Sequence, residues 1–163
     1  MNLARMSARL LVAAGLAAAL AACATGPEPA PLPAEPQRPA ALPPPFAPEE
    51  LVGRWGFASY HKEDDRGRTE RAAQGQCRNP YNIGRAPGGG IMMHPADQPQ
   101  QVEMRVKGSQ GGKTYIGPEP WPGAPTDREV VSFDGRVLVL KWLESEVQGR
   151  YGNGVYVRCA PRA

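Results

Sequence analysis

Histidine appears only twice and cysteine only three times in these 163 residues, which leaves little from which to build a metal centre. Neither His61 nor His94 stands in an HExxH or other ligand spacing, and Glu63, Asp64 and Asp65 cluster without the offsets of an EF-hand loop. Gly88-Gly89-Gly90 is not followed by Gly-Lys-Ser/Thr, so it reads as a flexible turn rather than a phosphate loop, and no Gly-x-Ser-x-Gly elbow occurs. A surplus of one charge is missing too. The 19 basic and 16 acidic side chains are interspersed, without a tract for gripping a nucleic-acid backbone. Together these gaps predict a protein that is not an enzyme, carries no metal or cofactor, and has no nucleic-acid partner.

A long apolar run is also absent. Leu10 to Ala22, LLVAAGLAAALAA, is uncharged but only thirteen residues long, short of the roughly 20 that a membrane helix needs. With Arg5 and Arg9 ahead of it, the stretch reads as a secretory h-region. It runs into Leu20-Ala21-Ala22-Cys23, which resembles the lipobox of bacterial lipoproteins at every position. That resemblance implies a signal peptide over residues 1–22, a diacylglyceryl thioether on Cys23, and an acylated new amino terminus. Two or three chains, at about 0.8 kcal/mol per buried methylene, make a permanent anchor where one would be marginal. Ala24 stands where lipoproteins of the inner membrane carry Asp, so the resemblance implies the outer membrane, facing the periplasm.

Residues 23–48 form the next region. More than half of the nineteen prolines fall between Gly26 and Pro48, so this segment lacks backbone donors and is expected to be a disordered, extended spacer. At full extension it reaches roughly 60–70 Å. Residues 49–163 are then one domain, long enough to bury a core. Cys77 and Cys159 remain after lipidation, without a CxxC or neighbouring histidine, and are expected to pair in an oxidising compartment.

The domain reads as strands. Val102 to Lys107 alternates apolar and charged residues, the mark of a strand with one wet face. Glu129 to Phe133 and Arg136 to Trp142 flank Asp134-Gly135, a hairpin signal, and Val155 to Cys159 alternates again. Arg54 to Tyr60, Ile91 to His94 and Lys113 to Gly117 are weaker strands. Asp64 to Gln76 is polar and predicts one short helix or ordered loop with a solvated face. Seven or eight short antiparallel strands bury their edges best in a small up-and-down β-barrel, with a β-sandwich as the alternative.

The domain opens Leu51-Val52-Gly53-Arg54-Trp55. This G-x-W resembles the first-strand signature of the calycin group, which includes lipocalins and avidins. The resemblance implies a barrel plugged at one end by Trp55, with Gly53 permitting close approach and Arg158 of the last strand over the indole. The opening is also similar to that of proteobacterial inhibitors of secreted metalloproteases. These are small β-barrels with an internal disulfide, some of them tethered lipoproteins, whose flexible N-terminal segment enters the protease cleft. Here the second cysteine lies near the C-terminus and the proline-rich arm is longer. Three readings follow: a non-catalytic envelope lipoprotein presenting a β-domain to an envelope protein, an inhibitor of a secreted or periplasmic hydrolase, and a carrier of a small apolar ligand. Small barrels fill with side chains, which counts against the third. Tyr60, Arg66, Arg68 and Arg71, with Trp121 on a Pro/Gly-rich loop, are the candidate contact surface.

The anchor is directly testable. Metabolic labelling with a palmitate analogue is expected to mark the wild-type chain and to be lost in Cys23→Ser; equal labelling of the two refutes the lipobox reading.

Overall fold

The computed structural model describes residues 37–160; the expected signal peptide, Cys23 and the first part of the spacer lie outside them. Eight antiparallel strands follow one another around a closed barrel in chain order. They are β1 (Gly53–Tyr60), β2 (Tyr81–Arg85), β3 (Ile91–Met93), β4 (Val102–Gly108), β5 (Thr114–Gly117), β6 (Arg128–Phe133), β7 (Val137–Trp142) and β8 (Asn153–Arg158). The last strand returns to pair with the first over six residues, Trp55↔Arg158 to Tyr60↔Asn153. Two short helices are inserted, α1 (Arg66–Gly75) after β1 and α2 (Ser145–Tyr151) after β7. The fold is the up-and-down barrel, not the sandwich.

Two elements differ from the sequence reading. Strand β2 was not anticipated, because Asn82 and Gly84 are poor strand formers and Asn79-Pro80 reads as a turn. Its register is supplied from outside, by Gly53↔Ile83 on one side and Gly84↔Met92 on the other. Helix α2 was also unexpected, since Gly149 interrupts a short polar stretch. Tertiary bonds hold it: the Gln148 side chain accepts from Trp142 N and donates to Asn153 Oδ1, each at 2.9 Å.

The barrel has a core on each side of one wall. Inside lie Leu51, Trp55, Ile83, Ile91, Met93, Met104, Ile116, Leu138 and Leu140. Outside, Tyr60, Val137, Val139, Val155 and Val157 form a second cluster with Ala73 of α1. Strand β7 reads Val-Leu-Val-Leu because both of its faces are covered. Helix α1 is polar overall, as its sequence suggests, yet Thr69 and Ala73, four residues apart, make a narrow buried stripe. Gly56 permits this approach, since a Cβ there would lie 1.9 Å from the Ala73 carbonyl oxygen. The Asp64–Gln76 segment is therefore a lid on the β1–β8 wall rather than a purely solvated face.

Strand β4 departs from simple alternation in the same way. Lys107 belongs to its expected wet face but is 2 % exposed. The β5–β6 loop folds over it, and Nζ donates to Glu119 O at 2.7 Å, Trp121 O at 3.0 Å and Asp127 Oδ1 at 2.7 Å. Asp127 Oδ2 in turn accepts from Gly123 N and Ala124 N. Every proton of the buried ammonium has an acceptor, which is the condition under which a buried pair is tolerated. Similarly, the Gly88–Gly90 turn is held by the Glu103 carboxylate, which accepts from both Gly88 N and Gly90 N at 3.2 Å.

The end of the proline-rich region joins the domain rather than extending away from it. Leu42 exchanges backbone hydrogen bonds with Gly108, at 2.9 and 2.8 Å, and Phe46 packs edge-on against Phe133 with centroids 4.7 Å apart. The domain thus begins near Arg38, ahead of the expected boundary at residue 49.

Cys77, just past α1, is bonded to Cys159, just past β8, with Cα atoms 5.6 Å apart and a sequence separation of 82. The bond ties the lid to the strand that closes the barrel. Loss of a disulfide spanning so long a loop costs about 2–5 kcal/mol. Urea unfolding of the paired substitution Cys77→Ser/Cys159→Ser is expected to show a stability loss of that size; an unchanged midpoint would mean that strand pairing alone closes the barrel.

Candidate ligand-binding site

The two ends of the barrel are finished differently. At one end Trp55 is fully buried, its Nε1 donating to Leu51 O at 2.9 Å. Arg158 lies over the indole with Cζ 4.2 Å from the ring centroid. Its guanidinium donates to Gly135 O, Val52 O and Glu50 O. Gly53 sits beside it at φ 148°, where a Cβ would approach Arg158 Nη1 to 3.0 Å. The three residues singled out by the G-x-W opening therefore meet, and with Phe133 and Phe46 they seal this end.

The other end is open. Going up β1 by twos, Trp55 gives way to Phe57 and Ser59; β7 continues from Leu140 to Trp142, and β8 turns back from Tyr156 to Gly154. These residues line a concavity of about 480 Å³ together with Tyr81, Arg128 and the loop after β3. Side chains fill the barrel around Trp55, so the expectation of a filled interior holds there and not at the mouth. Phe57 is 41 % exposed although it faces inward, an apolar ring presented to the cavity. Around it, Phe57 and Tyr156 have centroids 4.8 Å apart, Tyr81 and Tyr156 5.4 Å, and Tyr81 and His94 5.3 Å.

The loop over the mouth is pinned at two places. His94 N donates to Tyr81 Oη at 2.8 Å, with His94 Nδ1 3.2 Å from the same oxygen. At its tip, Asp97 takes a positive φ of 57° and its carboxylate accepts from Arg150 Nη1 at 2.7 Å and from Tyr151 Oη. The Tyr151 hydroxyl, supported by Arg150, holds the Asp97 carboxyl below its ordinary range. The unexpected helix α2 thus serves to fix the rim.

Arg128 is the charged group of the wall. It is 4 % exposed, its guanidinium stacked on Trp142 with Cζ 4.0 Å from the ring centroid. Nη2 donates to the His94 carbonyl. Nε is buried with no acceptor, and among the described residues Arg128 forms no ion pair. A buried donor left without a partner costs about 1–3 kcal/mol, more when charged, so this is an energetic weak point at the mouth. Burial pushes the Tyr156 phenol up to about 12, against a smaller opposing pull from Arg128, and burial raises Tyr81 as well. Both hydroxyls are therefore neutral donors at neutral pH.

No family model, curated protein or solved structure matches the chain. The site rests on its own geometry.

That geometry does not assemble the expected contact surface. Tyr60 is 3 % exposed, its ring in the cluster under α1 and its hydroxyl donating to Glu63 Oε2 at 2.9 Å. It is a packing residue. Arg66 is half-buried against Glu70 and Ser132. Arg68 is exposed and paired with Asp65, and Arg71 is exposed on the same helix. Trp121 is folded back: Lys107 holds its carbonyl, and the Arg38 guanidinium lies 4.2 Å over its ring. The mouth residues were missed instead. The period-2 pattern carried outward from Trp55 points to Phe57 and Ser59, but starting the sixth strand at Glu129 left Arg128 outside it.

The buried phenol makes a pH prediction. Tyr156 titrates near 10 in an unfolded chain and about 12 here, so the native state keeps a proton that the unfolded state loses over that interval. Its contribution is complete below pH 10 and is lost as pH rises to 12. Urea unfolding between pH 9 and 12 is expected to show falling stability, with a shallower fall in Tyr156→Phe. Identical slopes would place the phenol in water.

Proposed function

We propose that the protein is a non-catalytic lipoprotein of the bacterial outer membrane, held through Cys23, whose barrel binds a small apolar ligand in its open mouth. The anchor reading rests on Leu20 to Cys23 and the proline-rich run that follows. The binding reading rests on one observation: a concavity of about 480 Å³ whose walls include the rings of Phe57, Tyr81, Trp142, Tyr151 and Tyr156, within the roughly 300–1,000 Å³ range of small-molecule sites. Planar side chains lose little entropy on contact and offer large apolar faces. The Cys77–Cys159 bond and the doubly pinned loop favour a rigid receptor over an adaptable one, which limits the ordering cost of binding.

His94 has its ring nitrogen engaged by Tyr81, an arrangement that orients the ring rather than activating a nucleophile. The inhibitor alternative needs a segment ahead of the barrel to enter a cleft, and among the described residues Leu42 and Phe46 are engaged with the barrel instead. The carrier reading is accordingly preferred over a protease inhibitor.

The test uses the full chain with Cys23→Ser, which keeps it out of membranes, and 2-naphthamide as a neutral aromatic probe. Saturable quenching of intrinsic fluorescence at one site is expected. Ser59 is exposed at the mouth, so Ser59→Trp is expected to fill the cavity and weaken binding about tenfold or more, with an unchanged unfolding midpoint. Absence of binding, or equal binding in both proteins, refutes the proposal.

A further inference from the structure

Among the described residues, the mouth of the barrel contains one cation without a counter-ion. Arg150 at the rim is neutralised on both sides, by Asp97 Oδ2 and Glu146 Oε1, each at 2.7 Å. Glu129, beside Arg128 in sequence, faces the other side of the wall and pairs with Lys113 at 3.0 Å. Arg128 alone stays charged, buried, and in contact only with a carbonyl oxygen, an indole face and the neighbouring phenols.

A guanidinium in such a place is unusual for a site meant for a neutral molecule. An apolar ligand closing the mouth would remove what water reaches Arg128 while leaving its charge uncompensated and its Nε–H without an acceptor. A ligand bearing a carboxylate supplies the opposite charge, and guanidinium–carboxylate pairing in a water-poor cavity is strong and directional. The neutral phenol of Tyr156, which lines the cavity beside Arg128, adds a donor for the second oxygen. The cation count also limits the anion. One unpaired guanidinium balances one negative charge, and a dianionic phosphate monoester would leave an excess charge among aromatic rings.

We infer that the ligand of the open mouth is a small aromatic or otherwise planar apolar acid, its single carboxylate held by Arg128. This rests on the proposed binding role of the mouth and specifies the ligand class. Trp142, stacked on the other face of the guanidinium, acts as a positioning residue that holds Arg128 against the wall.

The experiment compares 2-naphthoate, 2-naphthamide and 2-naphthyl phosphate on the full-length Cys23→Ser protein at pH 7, by fluorescence titration and calorimetry. Naphthoate is expected to bind about tenfold or more tightly than the amide, as a charge-assisted hydrogen bond implies, and more tightly than the phosphate. Arg128→Met is expected to abolish the preference for naphthoate while retaining amide binding, and Arg128→Lys to restore part of it. Retained amide binding also reports that Arg128→Met is folded; should that variant not fold, the three wild-type affinities decide. Amide and naphthoate binding equally overturns the acid inference and leaves the mouth as a binding site. Tighter binding of the phosphate overturns the single-charge argument. If none of the probes binds, the binding site and this inference fall together.

Discussion

The structure depends on closure of the barrel between its first and last strands. A sheet of eight short strands left open would expose two edges with unpaired backbone groups. Here β1 and β8 pair over six residues, and Cys159 N continues the ladder to Arg54 O at 2.9 Å. The seam is also covered. Helix α1 lies on its outer face because Gly56 has no side chain and Ala73 has a small one. The disulfide then fixes the end of α1 to the end of β8. Strand pairing, the helix cover and the disulfide thus converge on one junction between residues about a hundred positions apart.

Closure makes the interior, and the interior is divided. Below, Trp55 and Phe133 fill the section and Arg158 covers it from outside, so that end is packed like any core. Above, the chain places rings around a space instead of into it. Tyr81 and Tyr156 stand against each other and against Phe57 in the wall. The rim is braced by bonds that do not enter the cavity, between Asp97 and α2 on one side and His94 and Tyr81 on the other. The same fold therefore supplies a rigid base and a preorganised opening.

Two buried cations show how differently one fold can treat a charge. Lys107 is enclosed by a loop whose carbonyl groups and carboxylate satisfy all its protons, and the loop in turn is held in place by that ammonium. Arg128 is equally buried but only partly satisfied, with an aromatic face where a carboxylate would serve better. The first arrangement explains itself as structure. The second leaves a buried charge without a counter-ion among the described residues, and the proposed ligand class rests on that observation.

By itself the sequence determined the strands whose side chains alternate strongly, the turn at Asp134-Gly135 and the paired cysteines, because these follow from period, turn chemistry and cysteine count; the Trp55 plug is what the resemblance of Gly53-Arg54-Trp55 to the calycin signature implied. The turn is visible as Asp134 Oδ1 accepting from Arg136 N and Val137 N. Strand β2, helix α2 and the burial of Lys107 were decided only by the tertiary structure, since each is stabilised by partners far along the chain that override weak or contrary local preferences. The mouth belongs to the same class. Phe57, Tyr81, Arg128, Trp142 and Tyr156 come from five different strands, and no spacing between them carries a signal; only closing the barrel brings their side chains around one space.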